Sequence, residues 1–346
     1  DGADVKLTLD VNLQQRIYEE YQNDESCSVA LNPLTGEVLA LVSTPSYSSN
    51  DFVMGLSQSQ WDALNSDPAL PMYNRFAATF APGSTMKAIT AAIGLDTGAI
   101  DPQTDYEAQM RWQLNSSWGS YYVTTLHAAD PNNLRNALVY SDNVYFAKVA
   151  SRIGGEALAN AYDALKFKVQ LPFALALNAS TYASGDAKLT DAIQIADSGY
   201  GQGQILMNPV HLTALYTGFL NEGKVLQPYL VMDEVPESAW IEQAYTAETA
   251  NTILQDLVEV VTDTGGTGHS AYRSDISLAG KAGTAEIKAS QNDTTGTELG
   301  WFIAMTADPS TSQPLILTTM VEDVKNRGGS ADVVNHNDAI LDDYFE

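Results

Sequence analysis

Residues 82–87 read PGSTMK and lead into an apolar stretch in which Ile89 and Ile93 recur at helical spacing. A proline and a glycine before a helical pattern place Ser84 at the helix start, with Lys87 one turn further on the same face. A serine hydroxyl needs a base, and a lysine serves as one only where burial or another cation removes its proton. An isolated pattern of this kind is more often a capping serine followed by a solvated lysine. The rest of the sequence is needed to distinguish a reactive serine with a lysine base from a capping serine with a solvated lysine.

Two more polar motifs follow along the chain. Residues 141–143 read SDN and place a hydroxyl and an amide together, and residues 281–284 read KAGT, where a lysine meets a glycine that lets another backbone approach closely. In this order the three motifs resemble S-x-x-K, S-D-N and K-T-G, the serial signature of class A β-lactamases and penicillin-binding proteins.

The resemblance extends over nearly the whole chain and is strongest to the class B penicillin-binding proteins. Residues 199–203 (GYGQG) before 207–209 (MNP) are similar to a segment that these transpeptidases carry between the second and third motifs. Three further segments look like class B proteins, and three features are similar to the low-affinity class B enzymes of Gram-positive bacteria. The three segments are residues 7–10 together with 13–14, residues 32–37 and residues 300–302. The three features shared with the low-affinity enzymes are residues 117–119, residues 272–274 and Glu286.

The resemblance implies a mixed α+β protein with the penicillin-binding and serine β-lactamase-like fold, an antiparallel sheet flanked by helices and joined to a mainly helical subdomain. Residues 1–346 would form one transpeptidase domain. The sheet subdomain would comprise about 1–80 and 225–346, and the helical subdomain about 81–224, with the cleft between them. The pattern of the chain agrees, because strand-like segments at both ends enclose helical ones.

The resemblance also implies the roles of five residues. Ser84 would attack the carbonyl between the two terminal D-alanines of a peptidoglycan stem peptide, while Lys87 accepts its proton. Ser141 would relay that proton to the leaving amine, helped by Lys281, and Asn143 would hold the substrate amide and fix Lys87. An acceptor amine would then resolve the acyl-enzyme.

The third motif and two aromatic residues would complete substrate binding. The backbone amides of Ser84 and Thr284 would form the oxyanion hole, and the Thr284 side chain would bind the terminal carboxylate together with Lys281. Gly283 would let the substrate backbone approach. Trp118 and Tyr121 are candidate substrate contacts, although core or cleft-wall packing is the commoner role for such aromatics.

Ala282 departs from the family pattern, which usually has Ser or Thr after the motif lysine. A missing hydroxyl contact with the substrate or antibiotic carboxylate would cost on the order of 1 kcal/mol in binding. We therefore expect slow acylation by penicillins and faster acylation in Ala282→Thr.

Composition excludes several classes of function. The chain has 17 basic and 43 acidic residues, for a net charge of -26, so nucleic acid and anionic lipid are poor partners. A lone Cys27 cannot form an intrachain disulfide. The four histidines lie far apart without ligand spacing, so we predict no metal site. No cofactor is needed, since the nucleophile, the base and the oxyanion donors are all protein groups.

The remaining expectations about context come from the resemblance. It implies stem peptides as substrates, β-lactams as covalent inhibitors, and partners in cell-wall synthesis or division through upstream regions. The chain starts at Asp1 without an initiator Met and has no apolar run of membrane-spanning length. We expect an extracytoplasmic domain anchored to the membrane by a segment outside this sequence.

Local patterns predict the elements. Asp10 is expected to cap a short helix, residues 29–31 and 38–42 to form a hairpin, and residues 43–80 to be irregular with buried Trp61, Tyr73 and Phe76. Helices are predicted at 141–168, 187–196 and 208–222, strands at 276–279, 300–305 and 315–321, and a terminal helix at 331–345.

Three alternatives remain open. A serine β-lactamase shares the acylation chemistry, but Ala174 occupies the position of the class A deacylating glutamate and Asn143 departs from the class D second motif. A non-catalytic β-lactam-sensing or scaffolding module would bind without turnover. A DD-carboxypeptidase, which uses water instead of the acceptor amine, is harder to exclude because the acceptor site has no short motif.

Overall fold

The structure, a computed structural model, describes residues 2, 4–185, 187–287 and 295–346. β1, β2, β5, β6 and β7 form one antiparallel sheet in the order β2-β1-β7-β6-β5, and β3 pairs with β4 in a small ribbon. The strands are β1 (Ser26–Leu31), β2 (Val38–Thr44), β3 (Arg111–Trp112), β4 (Val123–Thr124), β5 (Leu278–Ile287), β6 (Thr297–Thr306) and β7 (Ile316–Val321).

The α-helices of the described residues are distributed along the whole chain. They are α1 (Val11–Tyr21), α2 (Ser49–Met54), α3 (Gln58–Ser66), α4 (Met86–Asp96), α5 (Leu134–Val139), α6 (Asn143–Ile153), α7 (Gly155–Ala164), α8 (Ala192–Ser198), α9 (Pro209–Leu220), α10 (Ala247–Thr262) and α11 (Ser330–Phe345). Within the described residues, no helix is both long enough and apolar enough to span a bilayer.

The sheet is covered on both faces. α9 packs against β1 and β7 on one face, where the main apolar cluster continues into α4, α5 and α6. α1 and α11 cover the other face with a second cluster that includes Ala30, Ala40 and Leu317, which lie opposite one another in adjacent strands. Because both faces are buried, β1 and β7 consist entirely of buried residues instead of alternating ones. The predicted mixed α+β fold is confirmed.

Most local predictions at the chain ends are confirmed. The Asp10 carboxylate accepts the amide protons of Asn12 and Leu13 at the start of α1. β1 and β2 form the predicted hairpin, and β6, β7 and α11 occupy two of the strands and the terminal helix predicted for the last third. β5 begins at Leu278 and runs to Ile287, well past the predicted end at residue 279. The division into two subdomains stays a prediction.

The prediction for residues 43–80 is wrong in two respects. The segment contains the helices α2 and α3, capped by Ser48 and Ser57, and neither helix buries a residue. Trp61 is 44% exposed and Tyr73 is 43% exposed, whereas Phe76 packs against the core as expected. Local capping bonds stabilise these helices, and Trp61 rests edge-on against Phe52 outside the core.

Two predicted helices also differ in their bounds, and one helix was not predicted. The predicted helix 141–168 is interrupted at Gly154, whose φ of +81° ends α6 before α7 begins. α8 begins only at Ala192, where Asp191 supplies the cap, instead of at residue 187. α10 is absent from the predictions, although its buried Ile253 and Leu257 follow helical spacing.

Candidate active site

Ser84 lies in a single 3₁₀ turn, Gly83–Thr85, that runs directly into α4. Gly83 has a φ of +52°, and a β-carbon on it would lie 2.6 Å from the carbonyl oxygen of Thr284 in β5. Glycine is therefore required where this turn meets the edge strand of the sheet. Ser84 itself retains 9% exposure, so it is not sealed from solvent.

Lys87 lies one turn further along and is completely buried. Its Nζ donates to the Ser141 hydroxyl at 3.0 Å, to the Ser141 carbonyl at 2.7 Å and to Asn143 Oδ1 at 2.7 Å. Burial, and then the charge of Lys281, hold the pKa of the Lys87 amine well below its usual range. The structure thus supplies the condition under which a lysine can act as a base.

Lys281, also completely buried, reaches the same hydroxyl from the sheet. Its Nζ donates to Ser141 Oγ at 3.0 Å and to the Ala282 carbonyl at 2.8 Å. Burial lowers the pKa of the Lys281 amine to about 7. Two amines with lowered pKa therefore converge on one hydroxyl, which joins all three sequence motifs in one hydrogen-bond network.

Ser141 and Asn143 are held by the turn between α5 and α6. Ser141 has a φ of +58°, an uncommon conformation for a residue other than glycine. Asp142 between them caps α6 by accepting the amide protons of Val144 and Tyr145, and it is itself bonded by Asn132 at 2.7 Å. The motif aspartate therefore points into the protein and fixes the helix start, while its two neighbours face the lysines.

The edge strand β5 lies against the nucleophile turn. A β-carbon on Gly283 would lie 2.9 Å from the Thr85 amide nitrogen and 3.2 Å from that of Ser84, so glycine allows this approach. The Thr284 carbonyl points away from β6 toward Gly83, and in a strand the amide of a residue points the same way as its carbonyl. The Thr284 amide therefore faces the same open edge. The Thr284 hydroxyl accepts the Ser330 amide proton at 3.2 Å and keeps its own proton to donate.

The expectation for Ala282 stays a prediction. Its side chain is 2% exposed and belongs to the cluster beneath α11, and it lies opposite Phe302 of the same cluster. Lys281 precedes it in the strand and points to the other face, because successive side chains alternate. By the same alternation the Thr284 side chain shares the face of Ala282, so a hydroxyl at position 282 would lie on the same side of the strand as the Thr284 hydroxyl and against the apolar layer.

The two candidate aromatics have different surroundings. Trp118 is 6% exposed and lies edge-on between Trp112 and Tyr121, which is a packing position. Tyr121 is half-buried, and its hydroxyl donates to Asp197 Oδ1 at 2.6 Å. Among the described residues, the hydrogen bonds of Lys87 and Lys281 go to Ser141, Asn143 and Ala282 and do not involve the Trp118 ring.

Several supporting residues escaped the sequence-based prediction. Thr125 Oγ1 accepts the Asn143 amide proton at 3.3 Å, and the Thr124 carbonyl accepts from Asn143 Nδ2 at 3.1 Å. Asp197 also lies outside the predicted set. Only Asp142 carried a usable signal, since an aspartate just before a helical pattern is a common cap. The others act through contacts between segments far apart in the chain.

Comparisons with known proteins agree with this geometry. A family model described as the penicillin-binding protein transpeptidase domain matches residues 26–341. The chain is 39% identical to penicillin-binding protein 3 of Bacillus subtilis over 337 residues, covering 96% of this chain and 50% of that protein. The chain belongs to the penicillin-binding protein transpeptidase family. The resemblance to class B penicillin-binding proteins is thereby confirmed.

Two further proteins, one relative and one solved structure, are similar to the chain. Peptidoglycan D,D-transpeptidase MrdA of Haemophilus influenzae is 26% identical over 376 residues, covering 99% of this chain and 56% of that protein. The acyl-enzyme structure of penicillin-binding protein A from Mycobacterium tuberculosis with ceftriaxone superposes with a TM-score of 0.82 at 23% identity, covering 100% of this chain and 80% of that one. The chain spans about half the length of the first two of these relatives.

Proposed function

We propose that this chain is the catalytic domain of a peptidoglycan D,D-transpeptidase that works through a serine acyl-enzyme. The observation that carries the proposal is the convergence of two buried lysines on Ser141 Oγ, at 3.0 Å each, beside the turn that holds Ser84. Two amines are costly to bury close together, which favours a chemical role for this arrangement over a merely structural one. The names of its relatives as D,D-transpeptidases support the same reaction.

The first half-reaction acylates Ser84 and releases D-alanine. Neutral Lys87 takes the proton of Ser84 while Ser84 Oγ bonds to the carbonyl carbon between the two terminal D-alanines. The amides of Ser84 and Thr284, which meet at the β5 edge, stabilise the negative charge that forms on the carbonyl oxygen. The C–N bond then breaks, and the proton passes from Lys87 through Ser141 to the leaving D-alanine amine. The product is an ester on Ser84.

The second half-reaction reverses the proton path. An acceptor amine from a neighbouring stem peptide loses a proton through Ser141 to Lys87, bonds to the ester carbon and displaces Ser84, which regains its proton. The hydroxyl of Thr284 and the charge of Lys281 hold the terminal carboxylate of the donor in the first step. β-Lactams enter the same first step as donor analogues. The domain would act outside the cytoplasmic membrane with partners in cell-wall synthesis.

The alternatives differ in what resolves the ester. A carboxypeptidase uses water, a β-lactamase hydrolyses a drug ester rapidly, and a sensing module forms a stable ester without turnover. A thiolester donor that mimics D-Ala-D-Ala, incubated with and without a D-amino acid acceptor, separates them. We expect acceptor-dependent amide product from the wild type and none from Ser84→Ala. Hydrolysis alone would favour a carboxypeptidase, and rapid turnover of nitrocefin would favour a β-lactamase.

A further inference from the structure

Asp197, in the last turn of α8, accepts two tyrosine hydroxyls outside the three motifs. Tyr121 donates to Asp197 Oδ1 at 2.6 Å, and Tyr200 donates to the same oxygen at 2.5 Å. Hydrogen bonds to a charged acceptor are roughly twice as strong as neutral ones. One carboxylate oxygen therefore joins two chain segments that are distant in sequence.

The first of these segments, the 199–203 loop, contacts the nucleophile turn directly. The Asp197 carbonyl accepts the amide protons of Tyr200 and Gln202, so the loop folds around this residue. The Gly83 amide then donates to the Gly201 carbonyl at 3.0 Å. Gly201 has a φ of +77°, and a β-carbon on it would collide with the Gly83 carbonyl oxygen. The position of this loop thus sets the position of the residue before Ser84.

The second segment leads to the residues around Lys87. Tyr121 lies just before β4, and the two residues Thr124 and Thr125 bond the side-chain amide and the backbone amide of Asn143. Asn143 Oδ1 in turn accepts from Lys87 at 2.7 Å. Asp197 therefore connects the 199–203 loop, which contacts the turn that holds Ser84, with the segment that bonds Asn143, a hydrogen-bond partner of Lys87.

We propose that Asp197 is a positioning residue. Through Tyr121 and Tyr200 it fixes the position of the nucleophile turn relative to the segment that bonds Asn143. It touches no reacting atom. This role rests on the proposed acylation of Ser84 and adds a device that is not part of the three motifs. Loss of either hydroxyl would leave the fold intact but allow the 199–203 loop and the β4 segment to shift independently, which lowers the rate of the chemical step.

The test measures acylation by a fluorescent penicillin at a series of concentrations in Tyr121→Phe, Tyr200→Phe and Asp197→Asn. The fit separates the dissociation constant of the first complex from the acylation rate constant at saturation. We expect the rate constant to fall about fivefold to tenfold in each Tyr→Phe variant and more in Asp197→Asn, with the dissociation constant changed less than twofold. Adding Tyr121→Phe to Asp197→Asn should change the rate by less than a further twofold, because both remove the same link.

Tyr182→Phe is the matched control. Tyr182 donates to Asp163 Oδ1 at 2.9 Å, a bond of the same type between α7 and the segment in which Thr181 pairs with Leu206. This variant should acylate at the wild-type rate. A purely structural role of Asp197 would lower the amplitude of labelling and the melting temperature but leave the rate constant unchanged.

The outcomes are separable from those for the proposed function. Wild-type protein that is not acylated at Ser84 overturns the proposed function, and the positioning role with it. Wild-type protein that is acylated, with variants that match its rate constant or change only the dissociation constant, overturns the positioning role alone.

Discussion

At the scale of single residues, the Ser141 hydroxyl is the meeting point of the site. Its oxygen has two lone pairs and one proton, so it can accept from two amines or donate its proton to one that has become neutral. Lys87 and Lys281 approach this oxygen at equal distances of 3.0 Å. A hydroxyl placed in this way can pass a proton in either direction, which is what the two half-reactions require.

The charge of Lys281 leads to a prediction about pH and stability. Its pKa is about 7 in the folded protein and about 10.5 when exposed, so between these values the unfolded state binds more protons and stability rises with pH. Below pH 7 both states are protonated, and the full penalty of burial remains. Lys281→Met removes the group. We expect the stability of this variant relative to the wild type to fall by about 3 kcal/mol between pH 7 and pH 9.5, because the wild type gains stability over this range.

Urea unfolding of wild type and Lys281→Met at both pH values measures this difference. A stability difference that is independent of pH would show that the amine titrates normally in the folded protein.

Ala282 leads to a prediction about both rate and stability. Ala282→Thr should accelerate acylation by penicillin, because the added hydroxyl lies on the same face of β5 as that of Thr284, but it should cost stability because the site is packed beneath α11. Ala282→Val adds nearly the same volume without the hydroxyl and is the control. We expect the Thr variant to be less stable than the Val variant by about 1 kcal/mol. Equal acylation rates in the Thr and Val variants would show that a hydroxyl at position 282 does not reach the ligand.

The order of the motifs allowed the main residues of the site to be predicted, because each motif carries its chemistry in adjacent residues. The direction of the Ala282 side chain could not be predicted, since it depends on which face of β5 meets the cleft. Asp197 also carried no local signal. Its role depends on two hydroxyls, of which one, from Tyr121, comes from a distant part of the chain.

At the scale of elements, the 199–203 loop and the nucleophile turn form one unit. Gly201→Ala would place a methyl group against the Gly83 carbonyl, and we expect acylation to slow more than tenfold. Gly98→Ala is the control, because Gly98 has a similar φ of +69° but no heavy atom within 4 Å of its β-carbon position. Both variants share a backbone strain of about 1 kcal/mol, so only the steric contact differs.

Acylation rates and melting temperatures of the two glycine variants should be measured together. Equal losses of rate in both would mean that backbone strain, and not contact with the turn, determines the effect.

The elements themselves were predictable where periodicity and capping agreed, as in α1 with its Asp10 cap. The exposed helices α2 and α3 were not, because they bury no residue and their sequence therefore lacks a strong apolar stripe. The break between α6 and α7 depends on one glycine, Gly154, which a pattern of apolar residues does not reveal.

At the scale of the whole molecule, burial decides which ion pairs stabilise the fold. Arg75 is almost fully buried; it donates to Glu322 at 2.8 Å and to the Ala69 carbonyl at 2.9 Å, and so joins the end of the α3 segment to the sheet. Arg135 makes two bonds of 2.8 Å to acidic side chains but is 36% exposed. The two residues therefore form a natural comparison.

We expect Arg75→Ala to lower the free energy of unfolding by about 2 to 3 kcal/mol, because it removes a buried side chain and leaves the partly exposed Glu322 carboxylate and the Ala69 carbonyl without this donor. Arg135→Ala should cost less than about 1 kcal/mol. Urea denaturation midpoints measure both. Similar losses in the two variants would contradict the view that burial sets the strength of these pairs.

The measurement that tests the central claim most directly is mass spectrometry of peptides from the protein after incubation with a labelled penicillin. We predict one covalent adduct per chain, located on the peptide that contains Ser84, and no adduct in Ser84→Ala. A label on another residue, or an unlabelled wild-type protein, would contradict the assignment of Ser84 as the nucleophile.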